Sequence, residues 1–461
     1  MPFRILRRML SAANLGLIVL ATLLVQACTG FAPSQQSATT SSIEPSVVMQ
    51  SCDISTDFDN SRPKDIFIFM DGTGDGPSKD TNVYRLFQLV NAYKNPQTRC
   101  AYFTGVGVEI GGDENLIAEA LGHGMVPRII AAYDFLARTW NREDRVFVFG
   151  FSRGALEARS IAGLIAYAGI PKLSIDDDHT RRKALERIVR VEQKQKDEEY
   201  LNQWKQWTPT SEPPLLAKLE STLGGQLTLQ TAEVSFLGVW DTVPGSAIKK
   251  FGLCKEQLGI FKRWIERSGE RYKTDSYPPI RQIAHAMSLD EKRNGYSPLR
   301  TCPSISLQFT KREEVAFPGA HSDVGGGYDD FKVDGVTYRA AALPRLSLNW
   351  MVKRLQKDGR YAFREIPPIF DANPNGLAHA SYLVERTNPW RRCVDRNLPN
   401  DIQRDESVGA RAREGSVPIQ VPSNTLELDV VLKFPYPADC SILEAGIKPR
   451  RSWFQRILML F

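Results

Sequence analysis

The chain has 461 residues, 42% hydrophobic and 24% charged. That is ordinary globular composition, with room for one large domain plus additions or for two to three smaller domains. The formal net charge is +6, but Arg4, Arg7 and Arg8 lie in a leader segment and leave +3 without them, too weak a balance to indicate a nucleic-acid partner.

The leader comes first. MPFRILRRML is basic, and LGLIVLATLLV (15–25) has the length of a signal-peptide apolar core, short for a membrane span. Val25-Gln26-Ala27-Cys28 then sets a cysteine behind a small residue, as in bacterial lipoprotein signals. Residues 1–27 are expected to be removed and Cys28 lipidated, and Thr29 after it, by resemblance to such lipoproteins, favours an outer membrane. The competing readings are an ordinary cleaved signal and a short membrane anchor. Residues 28–62 are rich in Ser, Thr, Gln and Pro and are predicted to be a disordered tether. The seven cysteines are at 28, 52, 100, 254, 302, 393 and 440. Without Cys28, six remain for up to three disulfides with fifteen possible connectivities. No CxxC pair suggests a zinc ribbon.

From residue 63 the pattern alternates strand and helix. DIFIFM (65–70) reads as a buried strand, NVYRLFQLVNAY (82–93) as a helix and CAYFTGVGV (100–108) as a strand with a glycine-rich exit. Residues 116–140 read as a broken helix or two helices, and RVFVFG (145–150) as a strand running straight into helix. Such alternation implies a mostly parallel sheet with helices on both faces. Residues 175–207 are densely charged with a helical stripe, and an insertion over 175–230 is expected, either a solvated helical face or a lid. AEVSFLGVW (232–240), ISLQF (305–309) and EEVAFPG (313–319) read as further strands, IRQIAHAMSL (280–289) as helical, and 343–359 as a helix stopped by glycine. Past 360 the periodicity fades into a C-terminal extension, 361–461. Its last stretch, RRSWFQRILMLF, suits a membrane surface or packing on the domain.

Gly150-Phe151-Ser152-Arg153-Gly154 sits where the strand becomes a helix. A serine displayed for attack takes a strained backbone there, with small residues two before and two after it. The helix beginning at Arg153 aims free N–H groups and its positive dipole end at a developing oxyanion. Such a serine needs a later acid and then a histidine. Of five histidines, His123 precedes the serine, His179 lies in the charged insertion, His285 in the helical pattern and His379 in the weak C-terminal region. His321 follows an apolar run into SDVGGGY and is the expected base. Asp241, at the end of VSFLGVW, is the expected acid, with Asp323 and Asp290 as competitors. The loop Asp71-Gly72-Thr73-Gly74 is expected to add an oxyanion N–H from Gly72 or Thr73 to that of Arg153. It lacks the Gly-Lys-Ser/Thr of a phosphate loop, and Phe69 stands where an aspartyl phosphotransferase would need its nucleophile.

In order, FMDGTGD, TNVYRLF, VFGFSRGALEAR, FLGVWDTV, HAMSLDEKR and FPGAHSDVGGGY resemble the α/β-hydrolase domain of type VI secretion phospholipase effectors (the Tle1-like family) over about 63–357. The resemblance implies a lipid esterase, probed residue by residue as nucleophile Ser152, acid Asp241 and base His321. It implies an ester substrate, most pointedly phospholipid, and no metal or organic cofactor. Those effectors usually lack an export signal, so the leader implies a lipid-anchored envelope protein facing the periplasm or cell surface, with protein partners open. A metal phosphoesterase using Asp71, Asp241, His321 and Asp323, and a degenerate hydrolase fold acting as a binding protein, are the rival expectations.

Overall fold

The computed structural model describes residues 47, 49–107, 124–173, 177–224, 227–243, 273–293, 296–302, 308–333, 335–383, 393–421 and 430–447. The leader, Cys28, His123, Cys254, most of the strand expected at 305–309 and the segment 450–461 lie outside them. Among the described residues no helix is long and apolar enough to cross a membrane.

The first half of the chain builds the sheet centre and both helical layers. In order come β1 (Met49–Ser51), β2 (Asp65–Met70), α1 (Asn82–Tyr93), β3 (Thr98–Phe103), α2 (Met125–Thr139), β4 (Arg145–Phe151) and α3 (Ser152–Ala168). A side branch follows: β5 (Ile170–Leu173), α4 (Asp178–Gln193), α5 (Leu201–Lys205), α6 (Leu216–Leu223) and β6 (Leu227–Gln230), with β5 and β6 paired antiparallel. The chain returns through β7 (Val234–Trp240), β8 (Gln282–Ser288) and β9 (Lys311–Phe317) to the short α7 (His321–Gly325). The hairpin β10 (Phe331–Val333) and β11 (Val336–Tyr338) precedes α8 (Pro344–Gln356). The remainder is β12 (Ala378–His379), β13 (Gln403–Arg404), α9 (Glu406–Arg413), β14 (Ser416–Val421), β15 (Val430–Pro435) and α10 (Cys440–Ile447).

The main sheet runs β1-β3-β2-β4-β7-β8-β9-β13, parallel throughout except for β1 on β3. Its strands are near-continuous apolar runs because both faces are covered. Alternate residues still point to opposite sides. Ile66, Ile68, Met70, Val146, Val148 and Leu237 pack under α2, α3 and α4. Phe67, Phe69, Phe147, Phe149 and Phe236 pack under α1 and α8. On that second face Phe67 and Phe147 stack at 4.6 Å between ring centroids. Each fully buried ring of this size contributes roughly 1.5–3 kcal/mol. The connection β2 to β3 runs one way across the sheet and β4 onward runs the other. The crevice at the carboxyl ends of β2 and β4 is therefore the switch point where α/β sheets bind ligands.

Three expectations change. IRQIAHAMSL is not helical: Gln282–Ser288 is the fully buried strand β8. A short apolar run bounded by charged residues fits a helix or a doubly covered strand equally, and the open place between β7 and β9 selects the strand. The tether predicted over 28–62 ends sooner, because Met49–Ser51 adds to the edge of β3 and Cys52 is disulfide-bonded to Cys100. The sheet also does not stop at 360, since β13 pairs with Val315 and Ala316 of β9. The charged insertion joins the helical layer through Ala184, Leu185, Ile188 and Val189 of α4 and the buried Trp204 and Trp207.

Candidate active site

β4 and α3 meet without a loop. Phe151 is extended at φ −123°, Ser152 opens α3, and its backbone sits at φ 56°, the left-handed region that a side chain rarely occupies. Two glycines permit the turn. A Cβ on Gly150 would stand 2.3 Å from the Gly154 carbonyl oxygen, and one on Gly154 would stand 2.2 Å from that of Met70. So β4, α3 and the end of β2 close on one another only through bare backbone, and the strain at Ser152 is held by that packing. Ser152 is 9% exposed at the start of α3, whose other residues except the half-buried Arg153 are buried.

The loop after β2 lies against the serine: a Cβ on Gly72 would come within 3.3 Å of Ser152 Cβ. Asp71 shapes this loop. Its Oδ2 accepts from Tyr102 (2.6 Å) and Thr81 (2.7 Å), and its Oδ1 accepts from the Gly72 N–H at 2.9 Å. Burial raises the Asp71 carboxyl to about 6 against those bonds, and burial together with the Asp71 charge lifts the Asp75 carboxyl well above its ordinary value. The bond to Asp71 corrects one expectation: the Gly72 N–H is already engaged. The Thr73 N–H donates to no described residue, and its buried Oγ1 likewise has no partner among them. Of the two expected loop donors, Thr73 is the one whose N–H is left without a partner among the described residues.

Asp241 closes β7 with φ 36°, and His321 opens α7 four residues beyond the end of β9. These two strand ends bring them together: Asp241 Oδ2 and His321 Nδ1 are 2.6 Å apart. Both are buried. His321 Nε2 is buried with no hydrogen-bond partner among the described residues, so no Ser152–His321 bond is formed in this structure. The His321 and Phe151 rings lie 4.6 Å apart, which sets the imidazole beside the residue preceding Ser152. Burial pushes the imidazole below its ordinary 6.5 in spite of the Asp241 carboxylate. Burial would raise Asp241, but Arg396 and His321 outweigh it and hold this carboxyl well below the usual range.

The other candidates are elsewhere engaged. Asp290 accepts from the Gly319 N–H and the Tyr436 hydroxyl. Asp323 binds His379 Nδ1 at 2.6 Å and the Ala320 N–H at 2.9 Å, which pins the start of α7. His285 Nε2 accepts from the Thr242 N–H at 3.2 Å while Nδ1 faces Glu314 Oε1, so it braces the residue after Asp241. His179 is exposed. Among the described residues no three His, Cys, Asp or Glu side chains converge as a metal-ligand group, and Asp71 and Asp323 are bonded away from the Asp241–His321 pair. Sequence reasoning missed Arg396 and Ser288. The Arg396 guanidinium donates to Asp241 Oδ1 at 2.6 Å, and the Ser288 N–H reaches the same oxygen at 2.9 Å. Ser288 lies within HAMSLDEKR, whereas Arg396 belongs to no motif.

Residues 64–354 match the family described as "T6SS, Phospholipase effector Tle1-like, catalytic domain". The chain belongs to that family. An uncharacterized protein of Saccharomyces cerevisiae is 26% identical over 267 residues, 53% of this chain and 33% of its own length. Among solved structures, an uncharacterized protein from Pseudomonas aeruginosa is 16% identical, with 67% of this chain and 48% of that one covered and a TM-score of 0.32. The Tle1 effector bound to the VgrG spike of the type VI secretion system is 19% identical, with 59% and 52% covered and a TM-score of 0.29. This chain thus spans about a third to a half of the length of these relatives. In this Tle1-like chain the matched region ends within α8, so Arg396 lies outside it.

Proposed function

We propose that the protein is a serine hydrolase that cleaves carboxylic esters of lipids, phospholipids foremost. The observation that carries this is the Ser152 elbow at φ 56°, beside a buried Asp241–His321 pair whose Nε2 has no partner among the described residues. Family membership supports the same reading.

In this mechanism Asp241 holds the proton of His321 on Nδ1, which leaves Nε2 as the base. Nε2 takes the Ser152 proton as Oγ attacks the ester carbonyl. The oxyanion is met by the N–H groups of Arg153, at the start of α3, and Thr73. The imidazolium, stabilised by Asp241, returns the proton to the leaving alcohol. Water activated by His321 then releases the acid.

The test is fluorophosphonate labelling of the purified protein beside Ser152→Ala, with fatty-acid release from phospholipid vesicles followed in the same samples. Labelling and release are expected in wild type, and both are expected to vanish in the variant. A folded wild type that does not label would discard the nucleophile. Labelling without release would keep the chemistry and discard phospholipid.

We also propose that the protein is lipid-anchored in the bacterial envelope through Cys28. The leader pattern and the disulfides Cys52–Cys100 and Cys393–Cys440 support an oxidising compartment. Cys28→Ser should slow its signal cleavage and release from the detergent-soluble membrane fraction whatever portion is still processed. Unchanged fractionation with normal processing would sink the anchor.

A further inference from the structure

Asp241 uses its two oxygens differently. Oδ2 faces His321 Nδ1, while Oδ1 takes the Ser288 N–H and the Arg396 guanidinium. The same guanidinium donates to the Ser288 carbonyl at 2.8 Å and to that of Tyr296. With three acceptors around it and a side chain only 4% exposed, the group is held in one orientation.

The segment that carries it is fastened as well. Cys393 is disulfide-bonded to Cys440 and forms an antiparallel bridge with Arg293. The Val394 N–H donates to the Lys292 carbonyl at 2.9 Å. Asp395 pairs with Lys292 at 2.6 Å and accepts the Cys440 N–H. Residues 393–396 are therefore laced to Ser288, Lys292, Arg293 and Tyr296, in the stretch leaving β8. In that stretch Glu291 Oε2 accepts the His321 N–H at 3.1 Å.

We propose that Arg396, supplied by the C-terminal region beyond the matched family domain, is a positioning residue of the active site that locks Asp241 in the rotamer presenting Oδ2 to His321. The inference rests on the Ser152–His321–Asp241 reading. A buried carboxylate stripped of its cation carries an uncompensated charge and is free to turn toward other donors. Arg396 touches no reacting atom, so its loss acts through the histidine.

The charged groups facing Asp241 are Arg396, His321 and, at longer range, His285; those facing His321 are Asp241, Arg293 and Glu291. Once Asp241 is free to turn away, the imidazole loses the bond and the charge that raise it against burial, so His321 protonates at lower pH.

The experiment compares wild type, Arg396→Gln and Arg396→Lys in the full chain. It measures hydrolysis of p-nitrophenyl butyrate across pH, labelling by a fluorophosphonate, and thermal melting. Arg396→Gln is expected to lose about 10–100-fold in kcat with KM unchanged, the range typical of partners that orient a functional histidine. The acid limb of its kcat profile should move to lower pH. Arg396→Lys, which keeps the charge and loses the fork, should keep the limb near its wild-type position with a smaller loss in kcat. A folded Arg396→Gln with wild-type kcat and limb overturns the inference. If Arg396→Gln does not fold, wild-type kcat in Arg396→Lys overturns it and a kcat loss at unchanged KM supports it. A wild type that neither labels nor hydrolyses overturns the underlying reading and this one with it. A labelled wild type with indifferent variants overturns this one alone.

Discussion

At Ser152 the chain accepts a backbone conformation that costs about 1–3 kcal/mol and surrounds it with contacts that leave no alternative. Gly150 and Gly154 admit neighbouring backbone where a methyl group would collide. The proposed base is tuned in the same local way. Burial lowers the His321 imidazole below 6.5 and Asp241 pulls the other way without overcoming it. A base must be neutral to act, so kcat/KM should rise as pH climbs through a pKa below 6.5 and be level by neutrality. Asp241 stays ionised throughout that range, because Arg396 and His321 hold its carboxyl low, so a single acid limb is expected. The profile is measured with a soluble ester from pH 4.5 to 8. A limb centred above pH 7 would mean that the Asp241 charge dominates burial. Two acid limbs would mean that a second group, with Asp71 at about 6 the first suspect, titrates with activity.

At the scale of elements, what could be read from the residues depended on whether a local signal existed. β2 into its glycine loop, β4 into α3 and β7 into Asp241 each announce themselves by an apolar run breaking at a functional residue. Their strand ends lie where spacing placed them. β8 misled because a strand covered on both sides loses its alternation, and its polar His285 is satisfied by Thr242 and Glu314, not by solvent. β1 was hidden in a polar stretch. Its three residues have no pattern of their own and are ordered by pairing with β3 and by Cys52–Cys100. The choice of Thr73 over Gly72 turns on one hydrogen bond to Asp71, which no composition encodes. Arg396 is the extreme case. A lone arginine in an irregular segment has no period, and its importance exists only after the chain folds back on β7 and β8.

At the scale of the whole molecule, the family match ends at residue 354 but the cohesive unit does not. From Val47 onward the chain forms one compact unit, and beyond the lacing of 393–396 the described residues of the last hundred are built into it elsewhere too. β13 extends the main sheet along β9, and Ile402 covers Met287 and Ala316. Tyr361 is buried with its ring edge-on to Phe67 at 4.7 Å. Leu343, at the entry to α8, packs with Ala378, Tyr382, Val417, Ile419, Phe434 and Leu443 around the three-stranded sheet β12-β14-β15. Cutting after 360 would uncover this apolar surface, leave β9 as an open parallel edge, and remove Arg396 from Asp241. A chain of residues 47–360 is therefore expected to aggregate or to run as an expanded species on gel filtration, and to give no fluorophosphonate labelling. A chain of residues 47–461 should elute as a compact species and label at Ser152. If 47–360 proved monomeric, cooperative in melting and active at the wild-type rate, the C-terminal region would be an appendage after all. The sheet edge at β9 and the carboxylate of Asp241 would then each be self-sufficient.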